Sequence, residues 1–212
     1  MKAIHQASDS KKVGVIQREA RVAHAQELLG KHYKRSVVRS GERVKKINSK
    51  IYQWTFKNLP KKHRKKYKKI AQTIIDESLK YQFDPVFLLS VIQGESGFDP
   101  NRLGKLDEIG LMQVRPSTGK WIAGLYGMRW SGNSSLHDPI INIRLGAAYL
   151  DYLRSKFDSH ARLYLAAYNM GQGNVGEALE KNVWPKDYPI HVMKFYVEFY
   201  SALDAKSSGS ST

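Results

Sequence analysis

Two Asp-Pro pairs, Asp84-Pro85 and Asp138-Pro139, each stand directly before a long apolar segment. An Asp side chain caps the free amides at the start of a helix, and a Pro in the first turn loses no hydrogen bond there. The two pairs therefore predict the first residues of two helices. The segment from Pro85 to Ile92 is apolar on nearly every side, so we expect this helix to be buried.

Apolar residues recur at helical spacing through most of the remaining chain. Residues 67–79 carry one such stripe, and residues 143–153 carry another. Further helices are predicted over residues 116–125, 163–168, 175–179 and 191–203, with a Gly- and Ser-rich loop over residues 124–137. No segment sustains the alternation of apolar and polar residues that marks a β-strand. The sequence therefore predicts an all-α fold.

The net positive charge of the chain comes entirely from its first 80 residues. They contain 22 Lys and Arg against 6 Asp and Glu, whereas residues 81–212 contain 13 of each kind. The densest basic run covers residues 61–69. Such a run is either a solvated helix face or a surface for an anionic polymer, a membrane or nucleic acid. Nucleic acid is the weakest of these interpretations, because no zinc-finger spacing or RNA-binding aromatic motif accompanies the charge.

Composition divides the chain and excludes several classes of site. We expect a basic, helical N-terminal extension over residues 1–59, a main domain over residues 60–205 and a flexible Ser-rich tail over residues 206–212. The absence of Cys excludes disulfides, iron–sulfur clusters and a thiol nucleophile. The histidines lack the spacing of metal ligands, so no metal and no cofactor is expected; those considered are His63, His137, His160 and His191.

No apolar run reaches the roughly 18 residues needed to span a bilayer. The first residues also lack the apolar segment of a secretory signal. We therefore expect either that the chain is not exported by that route or that its leader lies outside this sequence.

Glu95 is the strongest candidate for a chemical role. It follows the most apolar helix of the chain, where burial and the negative end of the helix dipole would both raise its pKa. A carboxyl of that kind can donate a proton near neutral pH. The alternative is an ordinary surface Glu after the end of a helix.

Three other segments are difficult to explain by packing when they are taken together. Residues 110–113 place a Gly and an amide within an apolar run, residues 166–169 end in Tyr-Asn before two glycines, and Tyr196 lies in an aromatic helix. Each alone is compatible with a core or capping position. As a set of acid, amide and phenol groups they suit a hydroxyl- and acetamide-rich ligand such as an amino sugar.

These segments resemble, in order and spacing, the catalytic domain of the soluble lytic transglycosylases of the family 1 type, in the lysozyme-like superfamily. The resemblance covers about residues 66–203, and residues 1–59 match no family known to us. The last family element is only partly present, because Val192-Met193 stands where the family has Glu-Thr. The matching segments are Glu95-Ser-Gly-Phe-Asp-Pro100, Gly110-Leu-Met-Gln113, Asp138-Pro139 with Asn142-Ile143 and Gly146-Ala-Ala-Tyr-Leu150, Ala166-Ala-Tyr-Asn169 with Gly171 and Gly173, and Pro189 with Tyr196-Val197.

The resemblance implies a lysozyme-like helical domain that cleaves the β-1,4 bond between N-acetylmuramic acid and N-acetylglucosamine in bacterial peptidoglycan. It also implies that the muramic C6 hydroxyl attacks C1 and leaves a 1,6-anhydro end. Glu95 would first protonate the leaving oxygen and then accept the proton of the C6 hydroxyl. Ser96 would hydrogen-bond Glu95 or orient the substrate. The implied groove residues are Met112, Gln113, Tyr168, Asn169 and Tyr196.

The family needs no second carboxylate, because the acetamide of the substrate can stabilise the cationic intermediate. Asp99, Asp107 and Glu108 are the nearest acidic residues, and we interpret Asp107 and Glu108 as loop charges. A hydrolase of the goose-type lysozyme kind is the first alternative, and it would need a second carboxylate that positions water. A non-catalytic wall-binding protein and a basic nucleic-acid binder are the others.

The expected partner is the peptidoglycan glycan strand, in the periplasm or cell wall, with no nucleic acid. The basic N-terminal region could in addition hold the enzyme on anionic wall or envelope polymers, a hypothesis that rests on charge alone.

Overall fold

The computed structural model describes residues 18–40 and 44–204 of the chain. Within these ranges the chain is built from helices, and β-structure is limited to two isolated bridges, Leu103 with Ile109 and Ile109 with Val114. The predicted all-α fold is thereby confirmed. The predicted Ser-rich tail lies outside the described residues. None of the helices in the described ranges is both long and apolar enough to cross a membrane.

The helices follow one another with short connections. Helix α1 includes residues 18–29, and the others are α2 (Val44–Asn58), α3 (Tyr67–Lys80), α4 (Pro85–Ser96), α5 (Pro116–Leu125), α6 (Pro139–Lys156), α7 (Ala161–Met170), α8 (Gln172–Glu180) and α9 (Asp187–Asp204). Short 3-10 helices cover Gly30–Arg35, Val37–Ser40, Lys61–Lys66 and Asn133–His137. The predicted loop over 124–137 thus contains one short helix, and α9 begins four residues earlier than expected.

Both Asp-Pro pairs start helices as predicted. Asp84 Oδ1 accepts a hydrogen bond from the main-chain N–H of Val86 at 2.9 Å, and Asp138 Oδ1 accepts one from Ile140 at 2.7 Å. Helix α4 is buried from Val86 to Ile92 and ends at Gly97, which adopts the left-handed conformation with φ of 59°. The most apolar helix of the chain therefore lies in the centre of the fold, and its last turn carries Glu95.

Helix α9 packs along α4 in the antiparallel direction. Near the start of α4, Asp84 Oδ2 accepts hydrogen bonds from the hydroxyls of Tyr196 at 2.7 Å and Tyr200 at 2.6 Å. At the other end of α4, the hydroxyl of Tyr188 donates to Glu95. These three tyrosines follow one another along α9 at intervals of eight and four residues, so they lie on one face of that helix.

The N-terminal helices belong to the same core. Fully buried His24 of α1 accepts a hydrogen bond at Nδ1 from the main-chain N–H of Asp84 at 3.0 Å, and its Nε2 lies 3.2 Å from the hydroxyl of Tyr164. Arg154 of α6 donates to both carboxylate oxygens of Glu27. Ile47 and Ile51 of α2 are fully buried. These contacts join the described residues 18–40 and 44–59 to the core of the main domain.

Candidate active site

Glu95 faces a cleft of about 290 Å³ beside the last turn of α4. One wall of the cleft is the segment from Glu108 to Thr118, and the opposite wall comes from α6 and α7. The lining residues are Glu95, Glu108, Gln113, Val114, Arg115, Thr118, Tyr149, Tyr168, Asn169 and Gly171. The cleft therefore brings together four of the five segments on which the family resemblance rests, because each of the four contributes at least one lining residue.

The wall segment is held in place by a buried amide. Asn142 of α6 donates to the carbonyls of Ile109 at 2.7 Å and Leu136 at 3.0 Å, and its Oδ1 accepts from the N–H of Met112 at 2.8 Å. Gly110 has φ of 81°, and a Cβ there would lie 2.6 Å from Nδ2 of Asn142. Only Gly fits this position, which explains why a Gly interrupts the apolar run.

Gln113, Tyr168 and Asn169 lie together in the walls of the cleft, and their role as groove residues for a sugar stays a prediction. The amide of Gln113 donates to the carbonyls of Arg102 and Gly110, each at 3.0 Å. The hydroxyl of Tyr168 donates to the carbonyl of Met112 at 2.8 Å, so the ring is fixed at the cleft surface. Asn169 is exposed and projects from the end of α7.

Two predicted groove residues have side chains in the core instead. Tyr196 is fully buried and bonds to Asp84, because it lies on the face of α9 that contacts α4. Met112 is also fully buried, and its sulfur would lie 2.6 Å from a Cβ placed on Gly146. The prediction that these side chains line the groove is wrong, although the main-chain carbonyl of Met112 does hold Tyr168.

Ser96 acts on the wall of the cleft rather than on Glu95. Its hydroxyl lies 2.8 Å from the carbonyl of Leu111 and 3.1 Å from that of Ile92, and it can donate to either. The bond to Leu111 links the end of α4 to the wall segment. Ser96 thus positions the wall segment, and its predicted hydrogen bond to Glu95 is not among its contacts.

Tyr188 is the site residue that sequence reasoning missed. Its hydroxyl donates a hydrogen bond to Oε1 of Glu95 from the first turn of α9. The two residues are 93 positions apart, and no motif links them in sequence. Tyr188 thus connects the candidate proton donor to α9.

The pKa values of Glu95 and Glu108 are shifted in opposite directions. Burial raises the pKa of Glu95 to about 7, the negative charge of Glu108 adds to the rise, and the hydrogen bond from Tyr188 opposes it. Partial burial also acts to raise the pKa of Glu108, but hydrogen bonds from the N–H of Leu106 and from Arg115 outweigh it and hold that pKa below its usual range. Near pH 7 the cleft therefore contains one ionised carboxylate and one carboxyl that can give or take a proton.

This arrangement corrects the interpretation of Glu108 as a loop charge, because the residue lines the cleft and is bonded to Arg115 at 3.0 Å. Within the described residues, no group of three or more His, Asp or Glu side chains is placed to hold a metal ion. The carboxyl groups that line the cleft can transfer protons, and its amide and phenol groups can bind a polar ligand.

Comparison with known proteins agrees with this geometry. The family model described as the transglycosylase SLT domain matches residues 72–190. The chain is 33% identical over 134 residues to membrane-bound lytic murein transglycosylase C of Photorhabdus laumondii, and 34% identical over 135 residues to that of Cronobacter sakazakii. Each match covers 59% of this chain but only 38% and 37% of those proteins, so the chain spans less than two fifths of their length.

Solved structures show the same fold. The lytic transglycosylase Slt of Pseudomonas aeruginosa, crystallised as an inactive glutamate-to-glutamine variant, aligns with a TM-score of 0.57 and 29% identity over 63% of this chain and 24% of that chain. The 70-kDa soluble lytic transglycosylase in complex with bulgecin A aligns with a TM-score of 0.51 and 22% identity, over 66% of this chain and 24% of that chain, a likeness of fold alone. Because the family model covers more than half of its 212 residues, the chain belongs to the transglycosylase SLT domain family.

Proposed function

We propose that this chain is a peptidoglycan lytic transglycosylase that cleaves the β-1,4 bond between N-acetylmuramic acid and N-acetylglucosamine and forms 1,6-anhydromuramic ends. The observation that carries the proposal is Glu95, a carboxyl with a pKa of about 7 in a polar cleft. With this pKa both the protonated and the ionised form are accessible near neutral pH, so the same group can serve as acid and then as base. Family membership and the names of the relatives support the reaction type.

The proposed reaction uses Glu95 twice. In the first step its proton passes to the glycosidic oxygen while the bond from C1 to that oxygen breaks, and the acetamide of the muramic unit stabilises the cation at C1. In the second step the carboxylate takes the proton of the C6 hydroxyl while the bond from C1 to O6 forms. The proton count of Glu95 is restored and no water is consumed.

The neighbours of Glu95 have distinct proposed roles. Tyr188 holds the carboxyl in position and stabilises its anionic form, so that the group does not become too weak an acid. Asn169 offers an amide group to the acetamide and hydroxyl groups of the sugars, and Gln113 offers its side-chain oxygen, because its N–H groups already donate to main-chain carbonyls. Tyr168, fixed by the carbonyl of Met112, gives the cleft a rigid ring surface.

Hydrolysis of the same bond is the second candidate, and Glu108 is the observation that favours it. Its ionised carboxylate lines the same cleft as Glu95 and could hold a water molecule. Both of its oxygens already accept hydrogen bonds, one from Arg115 and one from the N–H of Leu106. A hydrolysed muramic end is heavier by one water than an anhydro end, so the products distinguish the two reactions.

The experiment for this proposal is the Glu95→Gln variant. Glutamine keeps the shape of the side chain but cannot transfer a proton, so release of muropeptides from purified sacculi should fall about 10²–10⁴-fold. Glu180→Gln, an exposed carboxyl at the end of α8, is the matched control and should keep the wild-type rate. A Glu95→Gln variant that retains more than about a tenth of the rate would contradict the mechanism.

We also propose that the basic segment over Lys61–Lys66 contacts anionic wall or envelope polymers, with the periplasm or cell wall as the place of action. Four lysines of the segment, Lys61, Lys62, Lys65 and Lys66, are exposed. Arg64 fixes the segment, since it donates to the carbonyl of Leu59 at 3.2 Å and lies 5.2 Å from the ring centre of Phe56. The lysines therefore project from a defined surface rather than from a loose tail.

A further inference from the structure

Four aromatic rings contact one another in a series that begins in the cleft and includes Trp121 of α5 and Tyr152 of α6. Tyr168 and Tyr149 line the cleft, and their ring centres are 5.3 Å apart. Trp121 continues the series, with its ring 6.2 Å from Tyr149 and nearly perpendicular to it. Tyr152 completes the series at 4.7 Å from Trp121, again nearly perpendicular.

Trp121 is 41% exposed although it is held on two sides by tyrosine rings. Single exposed aromatic residues are common on protein surfaces and carry no meaning by themselves. Trp121 differs because one neighbouring ring, Tyr149, lines the cleft, and because Thr118, one helical turn earlier on α5, lines it too. The exposed indole is therefore a fixed surface at the edge of the cleft.

A polar group lies beside this surface. The hydroxyl of Tyr152 donates to the side-chain oxygen of Gln172 at 3.3 Å. Gln172 is the first residue of α8 and directly follows Gly171, which lines the cleft. Rings and an amide thus stand together next to the cleft, the combination that suits a sugar with an apolar C–H face and polar edges.

We propose that Trp121, with Tyr152 and Gln172, forms a further sugar subsite for an N-acetylhexosamine unit of the strand that occupies the cleft. The inference rests on the proposed function, which places a glycan strand in the cleft. A pyranose ring presents its C–H groups to the indole face, whose electron density attracts them. The subsite binds a unit beyond those at Glu95, so longer strands gain affinity that short ones cannot.

The test measures binding of β-1,4-linked N-acetylglucosamine dimer and hexamer by calorimetry, with the full chain carrying Glu95→Gln so that no cleavage occurs. Adding Trp121→Ala should weaken hexamer binding about tenfold, equivalent to about 1.4 kcal/mol, and so lower the ratio of hexamer to dimer affinity. Trp121→Phe, which keeps a ring, should restore most of the hexamer affinity. Trp184→Ala is the matched control, because Trp184 is 51% exposed and does not line the cleft.

An unchanged ratio of hexamer to dimer affinity in the Trp121→Ala variant would overturn the subsite while leaving the proposed function intact. So would equal hexamer affinities for Trp121→Phe and Trp121→Ala, because stacking would then contribute nothing. Failure of the proposed function gives a different result. In that case neither oligomer binds the parent protein and sacculi release no products, and the subsite falls with it.

Discussion

The two ends of helix α4 carry two carboxyl groups with opposite uses. Asp84 at the start is fully buried and accepts three hydrogen bonds, from the N–H of Val86 and the hydroxyls of Tyr196 and Tyr200. Glu95 at the end is only partly buried, opens to the cleft and is bonded to Tyr188. Burial raises the pKa of both groups. A raised pKa alone therefore does not identify a catalytic carboxyl, and access to a cleft separates the two cases.

The helix dipole sharpens the contrast. The positive end of α4 favours the carboxylate of Asp84, whereas the negative end disfavours that of Glu95. Helix α9 serves both ends, because its antiparallel packing brings Tyr196 and Tyr200 to Asp84 and Tyr188 to Glu95. One pair of packed helices thus builds a structural anchor at one end and the candidate site at the other.

Removal of residues 1–59 should have the largest effect, a loss of stability at the Asp84 end of α4. The truncated chain loses His24, which accepts the N–H of Asp84, and the buried side chains of α2 such as Ile47 and Ile51. We expect no cooperative thermal unfolding transition by circular dichroism, whereas removal of residues 206–212 should leave the transition unchanged. A truncated chain that melts at the wild-type temperature would show that the N-terminal helices are dispensable for folding.

Exchanging each carboxyl for its amide should separate the two ends of α4 directly. Asn caps a helix as well as Asp does, so Asp84→Asn keeps the cap. It removes the carboxyl oxygen that accepts from Tyr196 and Tyr200 and that interacts electrostatically with the guanidinium of Arg21 on α1. We expect it to lower the free energy of unfolding by about 1–3 kcal/mol. Denaturant unfolding at one pH measures the loss, and an unchanged midpoint would mean that the buried cluster contributes nothing.

The matched Glu95→Gln variant should gain stability relative to wild type, and the size of this gain should depend on pH. The pKa of Glu95 is about 7 in the folded protein against an ordinary value of 4.5. Between these values the folded state binds more protons than the unfolded chain, so this group lowers stability as the pH rises. Glu95→Gln removes that loss, and its stability relative to wild type should increase from pH 5 to pH 8. A constant difference over this range would contradict the raised pKa.

Tyr188→Phe should alter the Glu95 end alone. Loss of the hydrogen bond destabilises the carboxylate, so the pKa of Glu95 should rise further and the pH profile of sacculus lysis should move toward higher pH. A bond worth about 1 kcal/mol corresponds to a shift of the profile by about 0.7 pH units. Tyr200→Phe at the other end of α4 is the matched control, and it should change stability without moving the profile. A profile that stays in place for Tyr188→Phe would limit Tyr188 to packing.

The basic segment should have the smallest effect on turnover and act on attachment only. Exchanging its four exposed lysines for Gln should weaken binding to sacculi at low salt. The effect should be smaller at high salt, because the screening length falls from about 10 Å at 0.1 M to about 3 Å at 1 M. Cleavage of short neutral glycans should not change. The substituted residues are Lys61, Lys62, Lys65 and Lys66, and an equal exchange elsewhere, at Lys156, Lys181, Lys186 and Lys194, is the control. Equal effects of the two exchanges would mean that binding depends on the net charge of the protein and not on this segment.

Local sequence signals predicted the first residues of α4 and α6 and the place of Glu95 in the last turn of α4. The Asp-Pro pairs act within three residues, so their hydrogen bonds follow from sequence alone. Tyr188 could not be found in this way, because its contact with Glu95 depends on how α9 packs along α4. The wrong placement of Tyr196 was avoidable, since Val192, Tyr196 and Tyr200 are spaced four apart and form one buried face of α9. Glu108 was misjudged because its position depends on the loop that Asn142 folds against α6.

The composition of the products tests the central claim most directly, because it reports which oxygen attacks C1, that of the C6 hydroxyl or that of water. Purified sacculi are digested with the full chain, and the released muropeptides are analysed by mass spectrometry. The account predicts muramic ends in the 1,6-anhydro form, each lighter by one water than a reducing end, and their loss in the Glu95→Gln variant. Products that carry reducing ends would contradict it and assign the cleft, with Glu108 as the second carboxylate, to hydrolysis.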